Sequence, residues 1–144
     1  MNPILGIDLG QARIGLAISD ELRLLAHPLQ TIPANVDSIP TIVRIVKERK
    51  IDKVVLGIPR HMSGAMGKGA EEAMKFAEKL RSVLPCEIAT CDERLTTVAA
   101  NRALREAGKK TRDTRPIVDQ VAAQMILQSY LDREHEFSAE ERRI

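Results

Sequence analysis

The sequence is poor in aromatic residues and in cysteine. Its 144 residues include one Tyr, two Phe, no Trp and two cysteines. The core must therefore be aliphatic, and base stacking on aromatic platforms is not expected as a binding mode. Cys86 and Cys91 are five residues apart, which in a strand places them on opposite faces, and no histidine lies near them. We therefore expect two reduced structural thiols, with neither a disulfide nor a zinc site.

Long apolar runs and a strong excess of one charge are also missing. No apolar run approaches the about 18 residues of a membrane-spanning helix, and no basic segment followed by an apolar stretch opens the chain. The net charge is only +2, so affinity for nucleic acid must come from local patches. We expect a soluble, cytoplasmic, single domain over residues 1–144 with no membrane partner and a flexible tail at residues 134–144.

The first predicted strand, residues 4–10, carries an aspartate in an otherwise apolar stretch. Aspartate is depleted in strands, and burying its charge without a partner is costly. Gly6 and Gly10 flank Asp8 two places away on either side, which would let a ligand or metal approach the backbone. We interpret Asp8 as an acidic ligand on a rigid element, aimed at a cation or a phosphate. The alternative is a turn aspartate at the end of a strand.

The hydrophobic pattern predicts the element order βββαβαβαα. The predicted strands cover residues 4–10, 14–19, 22–32, 54–58 and 86–91, and the predicted helices cover residues 37–50, 70–83, 96–107 and 117–133. The first three strands would form an antiparallel meander. Right-handed crossovers would make the last two strands parallel to the first. We therefore predict an α/β fold, a mixed five-stranded sheet in the order 3-2-1-4-5 flanked by helices.

Two further acidic residues lie where this topology would bring them near Asp8. Glu93 follows the predicted fifth strand, and Asp119 lies in the first turns of the last long helix. Three carboxylates in one cleft repel one another unless a cation lies between them, and oxygen ligands suit Mg²⁺ or Mn²⁺. A pair of such ions about 3.5–4 Å apart can activate a water and stabilise the leaving oxygen in phosphodiester cleavage. We therefore predict these three residues as metal ligands and catalytic groups.

Glu93 and Asp119 have plainer alternatives. Asp119 could serve only as a favourable charge at the positive end of its helix dipole, worth about 0.3–1 kcal/mol. Glu93 could be a solvated turn residue, with its neighbour Asp92 capping the next helix.

Basic side chains in two loop segments are predicted to contact substrate phosphates. The first segment, residues 59–69, carries Arg60, His61 and Lys68. The second, residues 109–115, carries Lys109, Lys110, Arg112 and Arg115. His61 could instead be a general base or simply an exposed loop histidine, and the second segment could be an ordinary solvated connection.

Taken together, the motifs resemble those of the YqgF family. The matching stretches are residues 6–10, 13–17, 57–59, 92–97 and 118–132, so the resemblance covers nearly the whole chain in order. It implies an RNase H-like fold, with Asp8, Glu93 and Asp119 as an acidic triad that binds divalent metal. Arg13 and Arg94 lie within two of these motifs and are assigned to substrate binding.

The resemblance also implies a function. Members of the family are described as pre-16S rRNA nucleases or as Holliday-junction-resolvase-like proteins. It implies a hydrolase that processes the 5′ end of precursor 16S rRNA during ribosome biogenesis in the bacterial cytoplasm. Its partners would be precursor rRNA and the ribosome precursor, bound by a monomer or a homodimer.

The motifs alone leave two other functions open. One is a resolvase that acts on branched DNA, and the other is a nucleic-acid-binding or ribosome-assembly factor without catalysis. ATP-binding folds of the sugar kinase, actin and chaperone type also begin with Gly-Ile-Asp-Leu-Gly. They need two such lobes to enclose a nucleotide, and 144 residues supply only one.

Overall fold

The structure, a computed structural model, describes residues 1–59, 67–93 and 115–142, and within the last range it describes the side chains of residues 119–136. The predicted helix at residues 96–107 lies outside the described residues. So do most of the basic side chains of the two predicted substrate-binding segments.

Five strands and three helices make up the part of the chain that is described. They are β1 (Ile4–Leu9), β2 (Arg13–Ser19), β3 (Ala26–Pro33), α1 (Ser38–Glu48), β4 (Lys53–Ile58), α2 (Lys68–Val83), β5 (Glu87–Asp92) and α3 (Arg115–Arg142). None of these helices is both long and apolar enough to cross a lipid bilayer.

The strands form one sheet in the order β3-β2-β1-β4-β5, which confirms the predicted order 3-2-1-4-5. β2 is antiparallel to both β1 and β3, whereas β4 is parallel to β1 and β5 is parallel to β4. β3 lies at the edge and contains Pro28 and Pro33. Proline is tolerated there because an edge strand has one side without ladder partners.

Each face of the sheet carries its own apolar core, because successive side chains of a strand point to opposite faces. Leu5, Ile7 and Val54 pack with residues of α1 and α2 on one face. Ile4, Val55 and residues of α3 pack together on the other. The second face, called the α3 face below, is the one toward which the alternation directs Asp8.

The two cysteines are free thiols on opposite sides of the sheet, as predicted. Cys86 packs against the core of α1 and α2, and Cys91 is buried in the core of α3.

Two element boundaries differ from the prediction by more than two residues. β3 begins at Ala26 and not at residue 22, and the last helix continues to Arg142, so the predicted end near Arg133 is wrong. Beyond that point, Glu134 accepts hydrogen bonds from Lys53 Nζ at 3.1 Å and from the Tyr130 hydroxyl at 2.7 Å. The segment predicted as a tail from residue 134 therefore begins as a continuation of α3 that is tied to β4.

Candidate active site

Asp8 lies on the α3 face of the sheet between two glycines of the neighbouring strands. In β2 its register partner is Gly15. In β4, Leu56 pairs with Ile7, so Gly57 is the next residue along beside Asp8. Asp8 is 3% exposed. The carboxylate of Asp8 therefore has no side chain beside it on either of the two neighbouring strands, β2 and β4.

The space over Gly15 is filled by the backbone of α3. A Cβ atom at Gly15 would lie 2.0 Å from the carbonyl oxygen of Asp119. The helix therefore rests directly on β2 at this point, and it can do so only because residue 15 has no side chain. This contact brings Asp119 to one side of Asp8.

The space over Gly57 is occupied partly by Glu93. Glu93 directly follows the last residue of β5 and is 6% exposed. A Cβ atom at Gly57 would lie 3.3 Å from Glu93 Oε1 and 2.5 Å from Ile126 Cδ1 of α3. Glu93 therefore lies on the other side of Asp8. The two glycines that flank Asp8 are thus covered by the two acidic residues predicted from the sequence, Gly15 by the backbone of Asp119 and Gly57 in part by the carboxylate of Glu93.

The Asp119 carboxylate forms an ion pair with Arg13. Arg13 Nε donates to Asp119 Oδ2 at 2.9 Å, and the two side chains are 35% and 22% exposed. Arg13 precedes Gly15 by two residues on β2, so it lies on the same face of the sheet. Among the residues that the structure describes, no three His, Cys, Asp or Glu side chains are arranged to hold a metal ion.

Cys91 lies next to Gly57 on the side away from Asp8, because it is the register partner of Gly57 on β5. Its Sγ accepts a hydrogen bond from Arg133 Nη2 at 2.8 Å. Burial raises the pKa of the Cys91 thiol, although Arg133 opposes this shift. A buried, protonated thiol is a poor nucleophile and a poor metal ligand, so Cys91 is structural.

The other predicted substrate-binding residues are placed only in part. Lys68 is exposed and is the first residue of α2. Arg115 is the first residue of α3, but its side chain is outside the described part. Also outside the described residues are Arg60, His61, Arg94, Lys109, Lys110 and Arg112.

The role predicted for Gly6 and Gly10 is wrong. A Cβ atom at Gly6 would lie 2.8 Å from Leu127 Cβ, and one at Gly10 would lie 2.4 Å from the carbonyl oxygen of Arg13. The protein itself fills both spaces, so neither glycine opens Asp8 to a ligand. The glycines beside Asp8 on the neighbouring strands are Gly15 and Gly57, and the protein fills the space over these two as well. Both belong to the matching motifs, but only the strand pairing shows that they flank Asp8.

The sequence is similar to a known family and to named proteins of bacteria. The family model described as "RuvX: Holliday junction resolvase" matches residues 2–133. A Chloroflexus aurantiacus protein named "Putative pre-16S rRNA nuclease" is 47% identical over 131 residues, which cover 90% of this chain and 86% of that protein. A Bacillus cereus protein of the same name is 40% identical over 134 residues, which cover 90% of this chain and 98% of that protein.

The fold is similar to that of a solved structure. The structure titled "T. thermophilus RuvC in complex with Holliday junction substrate" covers 94% of this chain and 96% of its own, with a TM-score of 0.55 and 13% sequence identity. This likeness confirms the predicted RNase H-like fold. The family model spans almost the whole chain, and relatives reach 47% identity. The chain therefore belongs to the RuvX family, which is the same family as the YqgF family that its motifs resemble, and it is a nuclease that hydrolyses the phosphodiester bonds of nucleic acid.

Proposed function

We propose that this nuclease depends on divalent metal and processes the 5′ end of precursor 16S rRNA in the bacterial cytoplasm, acting on the ribosome precursor as a monomer or a homodimer. The names of its 47% and 40% identical relatives support the substrate. The observation that carries the catalytic assignment is the placement of Glu93 and Asp119 on either side of Asp8, each across a glycine.

The chemistry of these donors fits Mg²⁺ or Mn²⁺. Asp8 and Glu93 offer carboxylate oxygens on the same face of the sheet, at 3% and 6% exposure, and such oxygens are the ligands that these ions prefer. Asp119 would complete the set with its other carboxylate oxygen, Oδ1, while Oδ2 keeps its hydrogen bond from Arg13 Nε. When bound, the metal supplies a Lewis acid that activates water and stabilises the leaving oxygen. We propose Mg²⁺ or Mn²⁺ as the cofactor on this basis.

Arg13 is the described basic residue best placed to receive a phosphate. Its Nε donates to Asp119, and the side chain is 35% exposed. A guanidinium carries five N–H donors in a planar fork, so the terminal nitrogens can bind phosphate while Nε holds the carboxylate. Arg13 would thus link the substrate to Asp119. The further phosphate contacts would come from Arg60, His61, Lys68, Arg94, Lys109, Lys110, Arg112 and Arg115.

The resolution of branched DNA is the second candidate function. The description of the matching family favours it. The same carboxylates and the same chemistry would serve, since contacts to the phosphate backbone carry no base information.

Asp8→Asn tests the catalytic assignment. The substitution keeps the shape of the side chain and removes its charge, so we expect cleavage to fall at least about a hundredfold while the fold remains intact. Asp37→Asn is the matched control, because Asp37 is exposed and its side chain makes no capping hydrogen bond to α1. Both variants and the wild type would be incubated with precursor 16S rRNA and with a four-way DNA junction, each with Mg²⁺, Mn²⁺ or EDTA.

Each outcome of this assay decides between the functions. Metal-dependent cutting of the RNA that Asp8→Asn abolishes and Asp37→Asn preserves supports the proposal. Cutting of the junction alone supports the second candidate. If the wild type binds the RNA but cuts it under none of the three conditions, the protein is an assembly factor without catalysis.

A further inference from the structure

Gly15 and Gly57 differ from the other glycines of the sheet in what faces them. The atoms nearest to a Cβ at Gly6 belong to Leu127 and Ala123 of α3, neither of which is acidic. Gly15 faces the backbone of Asp119, and Gly57 faces the carboxylate of Glu93 as well as Ile126. The two glycines beside Asp8 therefore each meet one of the other two acidic residues.

We propose that Gly15 and Gly57 are positioning residues of the active site. Gly57 sets how closely the Glu93 carboxylate approaches Asp8, and Gly15 sets the depth at which α3 carries Asp119. This inference rests on the proposed function of the three carboxylates. It adds that the separation between them is fixed by the absence of two side chains.

The argument for Gly15 is that its neighbours cannot yield. A Cβ atom there would lie 2.0 Å from the Asp119 carbonyl oxygen, 2.5 Å from its carbonyl carbon and 3.1 Å from Gln120 N. All three are backbone atoms of a helix, so no change of rotamer relieves the contact. Any side chain at residue 15 would lift α3 from β2 at Asp119. The carboxylate of Asp119 would then move away from Asp8.

The argument for Gly57 separates a packing contact from a positioning contact. Ile126 Cδ1 would lie 2.5 Å from a Cβ atom at this residue, and Ile126 is fully buried. Glu93 Oε1 would lie at 3.3 Å, which is closer than ordinary van der Waals contact. A valine at residue 126 has no Cδ1. The substitution Ile126→Val would therefore remove the contact at 2.5 Å and leave two longer ones, with Cγ1 of residue 126 at 3.2 Å and with Glu93 Oε1 at 3.3 Å.

The double variant Gly57→Ala/Ile126→Val tests the inference against Ile126→Val alone. We expect the double variant to lose about tenfold in kcat with KM within about threefold, because small misplacements of reacting groups reduce the chemical step. We expect its affinity for Mn²⁺ alone, followed by electron paramagnetic resonance, to fall by about fivefold or more relative to Ile126→Val. Gly6→Ala is a second control, since it crowds α3 without touching an acidic side chain.

A crystal structure of the double variant gives a readout that is independent of activity. An increased distance between the carboxylates of Asp8 and Glu93 supports the positioning role. If the double variant matches Ile126→Val in kcat, in Mn²⁺ affinity and in that distance, the positioning role is overturned. If Asp8→Asn cuts at the wild-type rate, it is the proposed function that fails, so the two failures are distinguishable.

Discussion

Arg13 is the residue that we propose binds both the substrate and the acidic residue Asp119. Arg13→Lys keeps the positive charge but loses the planar fork that lets one side chain hold Asp119 and a phosphate together. We expect about a tenfold loss of kcat/KM for Arg13→Lys and about a hundredfold loss for Arg13→Gln. Arg44→Lys is the matched control, because Arg44 forms an exposed ion pair with Glu48 on α1. Steady-state kinetics on precursor 16S rRNA measure the effect, and wild-type kcat/KM in Arg13→Gln would contradict it.

The acidic residues were accessible to sequence reasoning because each stands out in its local context. Asp8 interrupts an apolar strand, Glu93 follows one, and Asp119 opens a long helix. The pairing of Arg13 with Asp119 was not accessible, since the two residues are 106 positions apart and meet only because α3 packs against β2. That metal binds at these carboxylates stays a prediction.

At the scale of elements, the sheet was predictable and two boundaries were not. Apolar residues Leu22, Leu24 and Leu25 resemble the start of a strand, yet they are 65%, 48% and 57% exposed. Asp20 Oδ1 accepts hydrogen bonds from the backbone N–H groups of Leu24 and Leu25, and Arg23 has a φ of 58°. The side chain of Asp20 thus folds this segment into a loop, which the hydrophobic pattern does not reveal.

The C-terminal part of α3 was missed for a related reason. Its sequence is charged and shows no apolar stripe after Leu131, which is typical of a solvated tail. Its contacts come from distant parts of the chain: Lys53 of β4 pairs with Glu134, and His135 Nε2 lies 2.8 Å from the carbonyl oxygen of Arg23. Tertiary contacts, not local propensity, continue the helix.

Glu134 makes the stability of this helix depend on pH. Burial acts to raise the pKa of Glu134, but the Tyr130 hydroxyl and the Lys53 ammonium outweigh it and hold the pKa below its ordinary value of 4.5. Ionised Glu134 therefore stabilises the fold above that pH, and this contribution is lost as the pH falls through the lower pKa of the folded state.

Glu134→Gln tests this contribution. Because the side chain is 41% exposed, we expect the free energy of unfolding at pH 7 to fall by only about 0.5–1 kcal/mol. The difference from wild type is expected to shrink at acid pH, as the pH falls below 4.5 and through the lower pKa of Glu134 in the folded state. Denaturant titration at pH 7 and at acid pH measures it, with the exposed Glu136→Gln as control. An equal loss at both pH values would show that the carboxylate charge is not responsible.

At the scale of the whole molecule, the acidic active site needs basic groups around it that attract a negatively charged nucleic acid. The net charge is only +2, and the field of Asp8, Glu93 and Asp119 repels a polyanion. The predicted compensation is the basic segment at residues 109–115, which directly precedes the helix that carries Asp119. Whether this segment contacts substrate stays a prediction.

Neutralising Lys109, Lys110 and Arg112 together tests that prediction. We expect weaker binding of precursor RNA and a slope of log affinity against log salt that is shallower by up to about 2–3, since each of the three lost phosphate contacts would remove about 0.7–0.9. A variant with glutamine at Lys47, Lys75 and Lys79 is the control, because these exposed residues of α1 and α2 carry the same total charge. Binding measured from low to moderate salt decides the matter, and equal slopes in the two triple variants would show that only net charge matters.

The sheet order was predictable at this scale because strand lengths and right-handed crossovers leave few arrangements. The placement of α3 was not, since it depends on how closely a helix can approach the sheet at particular residues. Gly6, Gly15 and Gly57 allow that approach on three strands, β1, β2 and β4. In the sequence they are only small residues within strands.

The contacts that Tyr130 of α3 makes with Glu134 and Lys53 have a spectroscopic consequence. Tyr130 is the only tyrosine of the chain, which has no tryptophan. Its hydroxyl donates to Glu134, and the Lys53 ammonium lies 4.8 Å from the centre of its ring. The near-ultraviolet fluorescence of the protein therefore comes from one phenol, whose environment depends on the seating of α3 against β4. Titrating the unlabelled protein with Mg²⁺ while following this emission would show whether metal binding at the carboxylates changes the environment of Tyr130 further along α3.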